Sequence, residues 1–148
     1  MIPPFGSDGL LPAGIHFAED WNEFTQRLGF SPRRQTLLAG MKRALLSLQE
    51  AGCRTIYVNG SFATAKQEPG DYDACWDVTG VDVTKIDPVL LRFDNGRVAQ
   101  KIKFGGELFP AQLPEGLTGR TFLEFFQIDK ESGSPKGIVA LALQGIQP

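Results

Sequence analysis

The clearest pattern along the chain is an apolar stripe. Leu37, Leu38, Met41, Ala44, Leu45 and Leu48 recur at the 3.6-residue period of an amphipathic helix. Ser31 suits its N-cap, Pro32 its first turn and Gly52 its end. Arg33, Arg34, Lys42, Arg43 and Glu50 fall mostly off the stripe, and the arginines are expected on a solvated face. A shorter helix precedes it: Trp21, Phe24 and Leu28 share a face, Asp20 with Glu23 forms a capping pattern, and Gly29 stops it. Residues 1–17, punctuated by Pro and Gly, are expected to be irregular. Beyond the long helix the pattern turns to strands: 54–59 and 71–76 are rich in β-branched and aromatic positions, and Glu107-Leu108-Phe109 is a short run between glycines and Pro110. Residues 121–128 and 137–143 are two further strand-like runs, joined by a polar hairpin loop over 129–136. Residues 79–91 are expected to hold a turn and a short helix, and 94–104 a helix capped by Asp94. Helices first and strands with small helices afterwards give an α+β class in one domain spanning 1–148, with no linker or repeat.

Composition narrows the chemistry. Fifteen Lys and Arg against 17 Asp and Glu leave a net charge of −2 and a pI near 5.4, which disfavours a dedicated nucleic-acid binder. No apolar run approaches the roughly 18 residues of a membrane span, and the N-terminus lacks a signal-peptide pattern. A cytoplasmic protein is expected, and Cys53 and Cys75, in no CxxC or zinc spacing, suit a reducing compartment as buried apolar residues. The single histidine, His16, excludes multi-His zinc sites and argues against a Ser-His-Asp triad. Carboxylates and lysines must carry any catalysis.

The segment from Val58 to Asp73 gathers those groups. A strand runs into Gly60-Ser61, a polar loop follows, and Asp71-Tyr72-Asp73 opens the next strand. Gly60 lacks a Cβ, so the backbone can bend sharply and approach a phosphate, with a short helix opening behind it. The Ser61 hydroxyl can donate to a phosphate oxygen. Asp71 and Asp73, two apart on a strand, share a face at about 6.5–7 Å backbone separation and can converge on a hard cation, while Tyr72 points to the core. Glu107 is the candidate third carboxylate. Asp77 is the alternative, and Asp94 is read as a helix cap.

Gly-Ser followed, after nine intervening residues, by Asp-x-Asp resembles the motif of the polymerase-beta-like nucleotidyltransferases, in their small bacterial members, where the gap is about nine to thirteen residues. The wider phrase from Gly60 to Asp73, together with Leu11-Pro12-x-Gly14-Ile15, Glu107-Leu108-Phe109-Pro110-Ala111 and Lys136-Gly137-Ile138-Val139, resembles an uncharacterised bacterial subgroup over nearly the whole chain. The resemblance implies a mixed β-sheet flanked by helices, with the carboxylates on adjacent strands. It implies transfer of a nucleoside monophosphate from an NTP, ATP being the expected donor, with release of pyrophosphate. By motif position Gly60 and Ser61 bind triphosphate and Asp71 and Asp73 bind magnesium. Glu107 stands where the family often has aspartate, and two Mg2+ ions are implied between the three acids.

Lys66, on the polar loop, is a further candidate for phosphate neutralisation. Lys130 and Lys136 can close over a nucleotide, although solvated lysines are the commoner case. Phe122, Phe125 and Phe126 are expected in the core rather than as a base-stacking platform. The acceptor is expected to be a hydroxyl, with a partner protein of toxin–antitoxin type as one source. A non-catalytic module that binds nucleotide or a partner, acting like an antitoxin, is the competing expectation.

Overall fold

The computed structural model describes residues 1–116 and 118–148. Five strands form one mixed sheet in the order β1-β5-β2-β3-β4: β1 (Gly14–Phe17), β2 (Thr55–Asn59), β3 (Tyr72–Trp76), β4 (Gly106–Pro110) and β5 (Gly137–Ala142). β2 runs antiparallel to both β3 and β5, while β1–β5 and β3–β4 are parallel pairs. Among the described residues four α-helices accompany it: α1 (Trp21–Leu28), α2 (Pro32–Glu50), α3 (Val98–Phe104) and α4 (Phe122–Phe125). The α+β class expected from the pattern is thus observed.

The caps of α1 and α2 follow the sequence signals. Asp20 accepts from the Glu23 N–H and Ser31 from the Arg34 N–H, with Pro32 in the first turn. The helical stripe, Leu37 to Leu48, packs with Phe24 and Leu28 against one face of the sheet, which presents Ile56, Val58, Tyr72, Ala74, Trp76, Leu108, Val139 and Leu141. Alternation puts Asn59, Asp73, Cys75, Glu107 and Phe109 on the opposite face. That second face is covered by the segment after β4, so β4 is buried along its whole length and lacks the polar alternation of a half-exposed strand.

Three expectations are corrected. Residues 1–17 are not wholly irregular: Gly14–Phe17 is an edge strand, its register with β5 pairing Ile15 with Ile138. Residues 121–128 do not form a strand. Thr121 accepts from the Glu124 N–H, and the Glu124 carboxylate accepts from the Thr121 N–H, a reciprocal capping box that opens α4. The polar 129–136 stretch therefore links a helix to β5, with a single antiparallel bridge between Ile128 and Pro135. Asp94 makes no side-chain cap; a 3₁₀ turn over Asn95–Arg97 leads into α3, and Asp94 instead pairs with Arg92 at 3.3 Å.

Candidate active site

The strand register assembles the acids. β3 and β4 pair Asp73 with Glu107, and Asp71 lies two residues before Asp73 on the same side. One carboxylate oxygen from each of Asp71, Asp73 and Glu107 lies within 4.8 Å of the other two. Burial and the neighbouring carboxylates Asp71 and Glu107 push Asp73 up to about 6. Burial and Glu107 raise Asp71 as well. Three hard oxygen donors this close together fit a divalent cation such as magnesium.

Gly60 makes this possible. It has φ +68, and a Cβ there would stand 2.5 Å from the Asp73 Oδ2. The expected sharp bend is present, and its first effect is to admit Asp73. The short helix behind it is a single 3₁₀ turn, Gly60–Ala63, too brief to accumulate a helix dipole. Gly106 answers a different contact: a Cβ there would press into the Tyr72 ring at 2.6 Å, so glycine lets β4 close on β3. Tyr72 is buried on the helical side, as expected.

Arg34 fixes the loop. The sequence placed it on a solvated face, yet its side chain is fully buried. Its guanidinium donates to the carbonyls of Leu28, Ser61, Phe62, Thr64 and Lys66, and lies between the rings of Phe30 and Phe62, 4.1 and 4.8 Å from their centroids. With only carbonyls to receive it, burial lowers its pKa to about 10. Arg33 likewise donates to Pro69 and Gly70, immediately before Asp71. The helical stripe could not reveal this, because both arginines donate to backbone carbonyls more than 25 residues away.

A cavity of about 420 Å³ opens beside Asp73. Gly60, Ser61 and Thr64 form one wall, and Phe125, Phe126, Lys130 and Lys136 another. Lys66 is not part of it; its side chain is exposed, and its carbonyl serves Arg34. Lys130 and Lys136 occupy the place expected for Lys66. Burial lowers Lys136, against the pull of Asp129 and Asp73. Phe122, Phe125 and Phe126 are half-buried rather than core, contrary to expectation. Phe122 stacks on Phe109 at 4.5 Å, and Phe125 meets Phe126 edge to face.

Glu107 already holds cations. Lys101 lies 2.8 Å from Oε1 and Arg97 3.3 Å from Oε2. Asp77, the rival third acid, is elsewhere. Although partial burial pushes it up, hydrogen bonds from Thr79 and Gln112 outweigh that and hold it below the usual range.

A family model described as a family of unknown function (DUF6932) matches residues 3–142. The chain belongs to that family. No curated protein and no solved structure is matched by the chain. The DUF6932 match takes in every site residue described above, so the acid cluster, the Gly60 bend and the Arg34 clamp all lie within the family's span.

Proposed function

We propose that this chain is a nucleotidyltransferase-like domain that moves a nucleoside monophosphate, AMP by expectation, from an NTP to a hydroxyl acceptor with magnesium as cofactor. The supporting observation is the convergence of Asp71, Asp73 and Glu107 within 4.8 Å beside the Gly60-Ser61 bend. Magnesium bound there would supply charge neutralisation of the triphosphate and activation of the acceptor oxygen. The chain's own groups do the rest. Ser61, Lys130 and Lys136 face the cavity where phosphates would lie, and Phe125 and Phe126 offer flat faces to a base. In the reaction, the acceptor oxygen forms a bond to the α-phosphorus and the bond from that phosphorus to the α–β bridging oxygen breaks. Pyrophosphate leaves with the electron pair, and the hydroxyl proton passes to water.

One observation favours a second reading, a non-catalytic nucleotide-binding or antitoxin-like module. Glu107 is satisfied by Lys101 and Arg97, as an acid relieved of metal binding would be. Incubation with magnesium and α-phosphate-labelled ATP, with and without lysate from the source organism, separates the two. Transfer of label by the wild type, absent in Asp73→Ala, supports the enzyme. Nucleotide binding with no transfer supports the module.

A further inference from the structure

On the other side of the acid cluster lies a second opening, a cleft of about 510 Å³ between α2 and α3. Its walls carry Arg33 and Arg43 from α2, Lys101 and Lys103 from α3, and Gly70-Asp71 from the strand entry. Four cations in one cleft invert the balance of a chain whose net charge is −2. Two of them are not neutralised by carboxylates among the described residues. Arg33 donates to the carbonyls of Pro69 and Gly70, and Arg43 to those of Ala39 and Lys103. Lys103 pairs with Asp87 and Lys101 with Glu107.

The cleft is built rather than incidental. α2 and α3 touch backbone to backbone, because Gly40 lies so close to the Phe104 carbonyl that a Cβ would collide with it. That contact and the Arg43–Lys103 hydrogen bond hold the cationic side chains in a fixed frame. The volume suits a small molecule rather than a protein surface. The acid cluster is shared between the openings: Asp71 borders this cleft and Asp73 borders the cavity with Gly60 and Ser61. A ligand here therefore lies across the carboxylates from the glycine-serine loop.

We propose that this cleft binds the acceptor, and that the acceptor is a small hydroxyl compound carrying a phosphate group. Its role as acceptor rests on the nucleotidyltransferase reading; its affinity for a phosphate does not. Arg33 and Arg43 supply the planar donors that suit phosphate oxygens, Lys103 adds a point charge, and the compound's hydroxyl end points toward Asp71.

The test uses the 15N-labelled full chain without metal or nucleotide, titrated with ribose 5-phosphate as a phosphomonoester probe and with ribose as its uncharged counterpart. Saturable amide shifts at Gly70, Lys103 and Gly105 with ribose 5-phosphate, absent with ribose, are expected. The double variant Arg43→Gln/Lys103→Gln should weaken the binding at least tenfold while keeping the dispersed spectrum of the folded chain. No saturable shift, shifts confined to Gly60, Ser61 and Lys136, or undiminished binding by the double variant overturns the proposal. Equal affinity for inorganic phosphate reduces the cleft to an anion hole and also overturns it. Tighter binding of a 5′-phosphorylated oligonucleotide would replace the small acceptor with a nucleic-acid end. Because the titration needs neither NTP nor magnesium, it can fail while label transfer succeeds, and the reverse.

Discussion

At the scale of single residues, the proposed function and stability pull against each other at Asp73. Its folded pKa, about 6, lies above the ordinary 3.8, so the folded chain holds an extra proton between those values. The stability this contributes is full below pH 4 and is lost as pH rises through 6, a loss of about 2–3 kcal/mol. Asp73→Asn should therefore melt higher than the wild type at pH 7.5 without metal, and the two should converge near pH 4; thermal melts across that range check it. Gly60→Ala should do the opposite. A methyl 2.5 Å from Oδ2, on a backbone at φ +68, should cost about 1–2 kcal/mol and displace Asp73, weakening magnesium binding at least tenfold by calorimetry. Arg34→Lys keeps the charge but offers three donors where five carbonyls wait, and loses the stacking between Phe30 and Phe62. Denaturant unfolding should show it destabilised by about 2–4 kcal/mol.

At the scale of elements, α4 shows what sequence could and could not reveal. Thr121-x-x-Glu124 is a capping-box signature in plain view, but the aromatic run behind it carries strong strand propensity, and four helical residues show no periodicity. β1 was hidden for a related reason: one short edge strand between glycine and a helix cap has no alternation to detect, and its partner β5 is more than 100 residues away. α1, α2 and β2–β5 were legible because caps and apolar periods agreed there. Within the site, the Gly60–Asp73 segment was legible from spacing alone. Lys101 and Arg97 were not singled out, and Lys130 and Lys136 were named with solvation as the commoner reading, because only the fold brings these cations to the acids or to the cavity beside them. Thr121→Ala removes one half of the capping box and should cost about 1 kcal/mol. Since α4 carries Phe125 and leads to Lys130, on the proposed function the variant should also weaken nucleotide binding several-fold, with little change in the turnover of bound substrate, as a KM-against-kcat comparison would show.

At the scale of the whole molecule, the sheet divides labour. One face is spent on the helical core and the other presents the acids, so ligand binding need not disturb the packing that holds the chain folded. None of the helices among the described residues is long and apolar enough to cross a membrane. A cation in the acid cluster should stabilise the fold by mass action. At about tenfold its dissociation constant, magnesium should add about 1.4 kcal/mol, a rise of roughly 3–5 °C in Tm that EDTA reverses and Asp73→Asn abolishes. The ammonium of Lys101 resting on Glu107 sets the terms of that exchange. The chain brings its own resident cation, tethered to α3, and on the proposed function a metal that used Glu107 would have to displace it rather than fill a void. Displaced, that ammonium would remain in the basic cleft it already lines, so a metal on the acids would leave the cleft beside them with one more uncompensated positive charge.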